Sequence, residues 1–365
     1  MKTNHLLALA VAAVIAVGGA VAVSLRSAPD SETPKTEKLF PSLASQINDV
    51  SGVVVARKDE TVTLTKKDDV WVVAEKYNYP AAFEKIRKLL VDLSELQPLE
   101  KKTSTASLYP ELQLEDLTQP DAKSGLLTIK GANGQDLVAT YVGKERLARG
   151  GTGNDAVYIR KAGDSQTWLA KGRLAPDKGA ISWLDRLLVD VARERVQQAV
   201  VTQPDGSTVT VSKTKPADKD FTLALVPKGK KPKAEYELNQ VAAPLEHLEL
   251  DDVRPAADVP APAKVGTADI TTFDGLVVHV DLLPKDDQTW IRLSARYAAP
   301  AAAPSDDDAK AAKLKTAEEV QKEAVAVNAK GKDWVYRIPD WKLDNLRKKT
   351  ADLVEDEKKD EKKGS

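Results

Sequence analysis

The chain's imidazoles are His5, His247 and His279. His5 stands just ahead of a long apolar run, and His247 is isolated from any serine or metal-ligand pattern. His279 is followed two residues on by Asp281. On a strand that spacing puts both side chains on one face, and a His–Asp pair so placed can move a proton. A relay needs a reacting group to serve, and neither a serine motif nor a metal-ligand spacing accompanies the pair. Both His247 and His279 therefore read as structural. Cysteine is absent, which removes disulfides, thiolate nucleophiles, iron–sulfur clusters and thiolate zinc sites together.

The other candidates have simpler readings. Arg149-Gly150-Gly151-Thr152-Gly153-Asn154 offers backbone amides to an anion. It lacks the Gly-Lys-Ser/Thr ending of a P-loop and leads into Val157-Tyr158, a strand pattern, so it reads as a hairpin loop. Asp306-Asp307-Asp308, with Asp286-Asp287 upstream, supplies hard oxygen ligands without the spacing of a calcium loop and reads as the solvated start of a helix. With 55 acidic residues some carboxylate pair suited to glycoside cleavage always exists, so composition gives that chemistry no weight. Lys228-Gly229-Lys230-Lys231-Pro232-Lys233 is the densest basic cluster and reads as a solvated loop, one that would attract anionic head groups beside a membrane. Trp71, Trp168, Trp183, Trp290, Trp334 and Trp341 could stack on sugars, but their apolar neighbours point to core packing. No residue is thereby assigned to catalysis, to a cofactor or to a metal, and no cofactor is implied.

The elements that must position these residues occupy 365 positions, about twice a typical domain. Charged residues make up 30% and hydrophobic ones 42%, enough apolar material for real cores. The 54 basic residues balance 55 acidic ones, so the basic excess of a nucleic-acid binder is missing and no nucleic-acid partner is expected.

Residues 6–25 carry no charge, and Lys2 precedes them. At helical rise such a run spans about 30 Å, the hydrocarbon thickness of a bilayer, and exceeds the roughly 7–15 residues of a signal-peptide core. Ala20-Val21-Ala22 also offers a cleavage pattern. We read residues 1–26 as a membrane anchor or signal, retained as a transmembrane helix in the lipid bilayer, and residues 27–46 as a polar tether. Positive charge flanks the run on both sides, so orientation rests on the long C-terminal part being translocated cargo.

After the tether the chain repeats its pattern. Val54–Lys66 and Val200–Lys213 both read as hairpins, with Val62 and Leu64, like Val209 and Val211, alternating with threonines. Pro204-Asp205-Gly206 marks the second turn, and Asn48-Asp49-Val50 answers Val189-Asp190-Val191. Val70-Trp71-Val72-Val73 and Phe221–Leu225 are candidate third strands. A helix follows each: Phe83, Ile86, Leu89, Leu90, Leu93 and Leu96 form one apolar stripe, and Leu238, Val241, Leu245 and Leu248 a weaker one. Gly125–Ile129 then parallels Gly275–His279, Val157–Arg160 parallels Val335–Ile338, and Asn133-Gly134 signals a type I′ turn. The expected fold is α+β: an N-terminal transmembrane helix, then two tandem, duplicated mixed units with antiparallel sheets. Residues 47–192 form the first unit and residues 193–350 the second, which carries an inserted Ala/Lys/Glu-rich segment at residues 298–329. A helix over Leu184–Val191 would bridge the copies, Trp341–Leu346 holds the matching place, and residues 351–365 read as a disordered charged tail.

Leu39-Phe40-Pro41 before Ile47-Asn48-Asp49-Val50, then Trp71-Val72-Val73, then Tyr79-Pro80-Ala81 ahead of a leucine-rich helix, resembles the bacterial family known as domain of unknown function 4340. Val142-Gly143-Lys144, Val157-Tyr158-Ile159-Arg160 and Trp168-Leu169 fit the same pattern. The resemblance implies a membrane-anchored protein of no assigned activity that accompanies ABC-type export permeases and gliding-motility-type auxiliary proteins. The expected function is a non-catalytic, extracytoplasmic accessory subunit of such a system, single-pass in the bacterial inner membrane. Its partners would be an ABC-type permease and its auxiliary subunit. An envelope module binding glycan, lipid or protein is the alternative, and a hydrolase comes third.

Overall fold

The computed structural model describes residues 37–147, 155–262, 265–301 and 305–357. The anchor expected at residues 6–25, the glycine-rich loop at residues 149–154 and the last residues of the tail lie outside that set. Among the described residues no helix is long and apolar enough to cross a membrane. The chain divides into two compact units, one from Met1–Val50 with Lys88–Pro176 and one from Ser51–Arg87 with Asp177–Ser365. The fold is sheet-rich α+β, and its sheets pair antiparallel.

Strand β1 (Val50–Ala56) pairs with β2 (Thr61–Lys67), β2 with β3 (Val70–Val73), and β3 with the two-residue β4 (Tyr79–Pro80). The alternation seen in sequence sets the register: Val62 faces Val55 and Leu64 faces Val53, all four buried. Helix α1 (Phe83–Ser94) buries Ile86, Leu89, Leu90 and Leu93, as its spacing predicts. Phe83 departs from the expected stripe: at the first turn it is 53% exposed.

The last ten residues assigned to the tether are not a tether. Leu39, Phe40 and Leu43 are buried, and the Leu39 amide donates to the Leu96 carbonyl at 2.9 Å. Three apolar side chains within five residues outweigh the polar character that the surrounding charges suggest.

In the unit that holds this segment, β5 (Gln97–Lys101) precedes the short helix α2 (Tyr109–Leu112), then β6 (Gly125–Gly131), β7 (Asp136–Arg146), β8 (Ala156–Lys161) and β9 (Thr167–Lys171). These strands lie in the order β6-β7-β8-β9-β5. The β6–β7 turn is not type I′. Only Gly134 is left-handed (φ +76°), and its amide donates to the Gly131 carbonyl at 2.9 Å, which gives a three-residue loop closed by a glycine bulge.

In the other unit β10 (Leu187–Val189) replaces the helix expected over Leu184–Val191. Leu187-Leu188-Val189 is too short a run to separate the two periods, and pairing with Leu248–Glu249 decides it. β11 (Val196–Thr202), β12 (Thr208–Ser212) and β13 (Thr222–Leu223) form a second meander, in which the third strand stops before Leu225, itself 80% exposed. β14 (Lys230–Pro232), helix α3 (Glu235–Ala242), β15 (Leu248–Glu249) and β16 (Asp252–Pro255) follow. The long strands β17 (Gly266–Thr272), β18 (Leu276–Lys285) and β19 (Gln288–Tyr297), with β20 (Trp334–Arg337), complete an eight-stranded sheet, ordered β13-β12-β11-β17-β18-β19-β20-β16. Gly275–His279, matched in sequence to Gly125–Ile129, opens the second strand of its hairpin, whereas Gly125–Ile129 opens the first strand of its own. Gly275 itself is a turn residue at φ +91°.

The inserted segment folds into helices α4 (Asp306–Ala311) and α5 (Ala317–Asp333), followed by β20 (Trp334–Arg337) and α6 (Asp340–Asn345). Ser305 caps α4 by accepting from the Asp308 amide, so the aspartate run is a helix start, as expected. Thr316 and Glu319 form a capping box on α5. Val320, Ala324, Val327 and Gly331 are its buried stripe. The expected charged tail begins as structure: β21 (Val354–Asp356) pairs antiparallel with β14.

Candidate functional site

His279 sits in the middle of β18, with Asp269 opposite it on β17 and Asp281 two residues along on the same face. Its Nδ1 lies 2.8 Å from Asp269 Oδ1 and its Nε2 3.2 Å from Asp281 Oδ1. Arg292 of β19 donates from Nε and Nη2 to Asp281 Oδ2 at 3.1 and 3.0 Å. Burial pulls the imidazole pKa down, but the Asp269 carboxylate, then Asp281, outweigh burial and hold it above the ordinary value. When protonated the imidazole donates from both nitrogens and ties β18 to β17, and Asp281 carries the tie on to Arg292 of β19. The sequence places His279 and Asp281 on one face correctly, and it misses Asp269, whose pairing depends on register. His247 is apart from this cluster, beside Glu249 at 3.4 Å.

Ser294 lies directly opposite His279 on β19 and lines a shallow recess of about 200 Å³ with Asp269 and Arg296. The imidazole nitrogen that a hydroxyl nucleophile would need faces Asp281 instead. Among the described residues no three His, Asp or Glu side chains converge to hold a metal ion.

The lysine cluster is partly neutralised. Lys230 meets Asp356 at 2.6 Å and Lys231 meets Glu355 at 3.1 Å across the β14–β21 pair, so within the loop expected at residues 228–233 Lys230–Pro232 form a short strand carrying ion pairs.

Sequence reading missed a second polar centre, within the unit formed by β5–β9. Arg160, the last residue but one of β8, has its side chain 6% exposed. Its guanidinium lies between two aromatic rings, 4.6 Å from the Tyr109 centroid and 4.1 Å from that of Tyr141. It donates to the Leu114 carbonyl at 3.0 Å, to the Asp164 carbonyl at 3.3 Å and to Asp116 Oδ1 at 2.6 Å. Arg160, and less strongly the Tyr141 hydroxyl, hold the Asp116 carboxyl below the usual carboxylate range against partial burial. Nothing in the sequence warned of it: in Val157-Tyr158-Ile159-Arg160 alternation puts Arg160 on the Tyr158 face, opposite the buried Val157 and Ile159, where a charge looks ordinary.

Beside this centre opens a cavity of about 480 Å³ whose lining includes Tyr109, Pro110, Glu115, Asp116, Gln119 and Asp121. Glu115 is 5% exposed. Its Oε1 accepts from the Lys123 amide, and its Oε2 is buried with no hydrogen-bond partner.

Other buried charges act as ties. Arg195, 4% exposed, donates to both oxygens of Asp274 at 2.9 and 3.2 Å and to both of Glu323 on α5 at 3.1 and 2.9 Å. Lys342 of α6 donates to the carbonyls of Pro244 and Glu246. Tyr79 of β4 meets Tyr336 of β20 edge-on at 6.1 Å, and burial pushes the Tyr79 phenol up to about 12. Trp183 and Trp290 are core residues, as expected, whereas Trp341 is 59% exposed.

No curated protein matches the chain. Residues 71–267, more than half of its length, match a family described as "Domain of unknown function (DUF4340)". They run from Trp71 on β3 to the start of β17 and take in the Arg160 centre with its cavity. The chain belongs to the DUF4340 family.

Proposed function

We propose that this protein is a non-catalytic, membrane-anchored extracytoplasmic accessory subunit of an ABC-type export or gliding-motility-like system. The carrying observation is the commitment of His279, whose two ring nitrogens both face carboxylates. The residue best suited to proton transfer is thereby a cross-strand tie, as Arg195 and Arg160 are ties elsewhere. Partner binding is supported further by the uncharged run at residues 6–25, which confines the chain to a membrane surface and raises its effective concentration for a neighbour there. The association with export permeases rests on the family resemblance.

The body of the subunit is, in this proposal, a duplicated α+β unit. Strand order supports it: β3-β2-β1 and β6-β7-β8-β9-β5 in the first half answer β13-β12-β11 and β17-β18-β19-β20-β16 in the second. In both halves a helix follows the meander and precedes the strand that ends the second run. β6 and β17 both start at glycine and share one alternation of burial. The counterpart of Gly125–Ile129 is then Gly266–Ile270.

Crosslinking in cells followed by mild-detergent purification is expected to recover a permease and its auxiliary subunit. Recovery of monomer alone, with turnover of an envelope substrate by the full chain, overturns the reading. N-terminal sequencing of the membrane-extracted protein tests the anchor, and a mature N-terminus at Val23 would refute it. The cavity beside Glu115 favours a second reading, an envelope binding module.

A further inference from the structure

We infer that the open face around Ser294 on β19 is a docking surface for a partner polypeptide, an acidic segment that carries an aromatic or large apolar side chain. That such a partner exists rests on the accessory-subunit reading, and its chemistry follows from the face itself.

A comparison within the chain shows what this face lacks. Arg160 stands opposite Tyr141 in the β7–β8 pair, and Arg292 stands opposite Asp281 in the β18–β19 pair. Each arginine lies on the third strand of a meander, β6-β7-β8 in one case and β17-β18-β19 in the other. Residues 102–124, between β5 and β6, fold over Arg160 and give it the Tyr109 ring, the Leu114 carbonyl and the Asp116 carboxylate. The shorter segment 256–265, between β16 and β17, sets Val259 against Leu283 and Trp290, at one end of the face only. Arg292 therefore keeps 38% side-chain exposure, against 6% for Arg160. Farther along the same face Ser294 and Arg296 are exposed.

Two recesses share Ser294 in their linings. One, of about 200 Å³, holds Asp269, His279 and Arg296. The other, of about 470 Å³, runs between Arg292 of β19 and helix α5, where Val325 is 68% exposed. Charge sets the sign of the occupant. Asp269 is hydrogen-bonded to His279, and Asp281 to Arg292. Arg296 in the first recess and Lys332 in the second make no ion pair among the described residues. The cations of the two linings thus outnumber the carboxylates that face them, whether or not His279 is protonated. An acidic segment answers that excess, and an aromatic or apolar side chain on it covers Val325. An extended polypeptide reaches both recesses at once, as residues 109–116 bring a ring, a carbonyl and a carboxylate to Arg160.

The test is fluorescence-anisotropy titration of the full chain, purified in mild detergent, with a labelled peptide of residues 109–116. That sequence, Tyr-Pro-Glu-Leu-Gln-Leu-Glu-Asp, carries the aromatic, apolar and acidic groups required. Saturable binding is expected, about tenfold tighter or more than for the same peptide with glutamine and asparagine in place of its acids. Arg296→Glu and Val325→Asp, both at exposed positions where folding is not at stake, should each weaken the peptide about tenfold. Equal melting temperatures in the variants keep that comparison on binding. Absence of saturable binding, or equal affinity for the neutral peptide, overturns the inference. Affinity unchanged in both variants does so too, since it places the peptide elsewhere on the chain. Binding of phosphatidylglycerol vesicles that Arg296→Glu abolishes would assign the face to lipid, and self-association that it abolishes would assign the face to a second copy; either result, without peptide binding, refutes the claim. Recovery of a permease by crosslinking from both variants as from the parent would overturn this surface while leaving the accessory-subunit reading in place.

Discussion

Gly331 of α5 lies against the backbone carbonyl of Leu293 in β19, so close that a Cβ at position 331 would overlap that oxygen. Three residues earlier, the Asn328 amide accepts from the Ala295 N–H and donates to the Ala295 carbonyl, both at 2.8 Å. β20 pairs with β19 only at Ile291, so over Leu293–Ala295 the helix stands where a further strand would pair. An open strand edge is a template for unwanted pairing, and here the inserted segment covers it.

Replacing Gly331 by alanine pits two effects against each other. Helix propensity favours alanine by about 1 kcal/mol. Overlap with a backbone oxygen, which has no rotamer to escape into, belongs at the upper end of the roughly 1–3 kcal/mol cost of overpacking. We expect Gly331→Ala to lower stability by about 1–2 kcal/mol in urea unfolding. A raised unfolding midpoint would show that helix and strand do not meet through backbone at this point.

His279 gives stability a pH dependence. Its folded pKa is raised above the ordinary value of about 6.5 because Asp269 and Asp281 outweigh burial. A raised folded pKa contributes stability that is complete below the unfolded pKa and is lost as pH rises through the folded value. Melting temperature should therefore decline from about pH 6.5 upward. His279→Asn should flatten that limb, leaving Asp269, Asp281, Arg292 and Arg296 to face one another without the imidazolium. Identical slopes in the two proteins would show that His279 is not the titrating tie.

What could be read in the sequence was local. Val62 and Leu64 alternating with threonines, the stripe from Ile86 to Leu93 and the helix-forming run ending near Val327 all took the form that their periodicity dictates. Leu187-Leu188-Val189 did not, since three apolar residues fit either period until a partner strand is known. The Arg160 centre escaped for a related reason. Its parts are separated along the chain: the β7–β8 register sets Tyr141 opposite Arg160, whereas Tyr109, Leu114 and Asp116 come from the segment ahead of β6. Pairing of Val354–Asp356 with β14 is also long-range, and the charge run that suggested a tail is the same run that satisfies Lys230 and Lys231.

Arg195 anchors α5 through Asp274 and Glu323. Removing one partner of a buried ion pair leaves the other uncompensated, at a cost of about 3–5 kcal/mol. Arg195→Met is expected to destabilise by that amount, because it strands Asp274 at 2% side-chain exposure. Adding Asp274→Leu should restore a large part of the loss, since the stranded aspartate is then gone and Glu323 keeps Lys315 at 2.8 Å. Additive losses in the double variant, measured by chemical unfolding, would contradict the assignment of the pair as a coupled tie.

Arg160→Lys keeps the charge and removes the geometry. The guanidinium stacks between Tyr109 and Tyr141 while donating in three directions, to Leu114, Asp164 and Asp116. A lysine ammonium is a compact, strongly hydrated point charge that neither stacks as a plane nor forks, so at least two of these contacts go. With each charged hydrogen bond contributing about 1.5–3 kcal/mol, we expect a loss of roughly 3–6 kcal/mol in chemical unfolding. The acid limb supplies a second readout. Asp116 is held below the ordinary carboxylate range chiefly by Arg160, so its contribution is present above about pH 4 and fades as pH falls through the folded value. Asp116 is about half exposed, which keeps that contribution small, but Arg160→Lys should still make the acid limb shallower. Wild-type stability in Arg160→Lys, with an unchanged acid limb, would mean that charge alone suffices at this position and that the stacked fork contributes nothing.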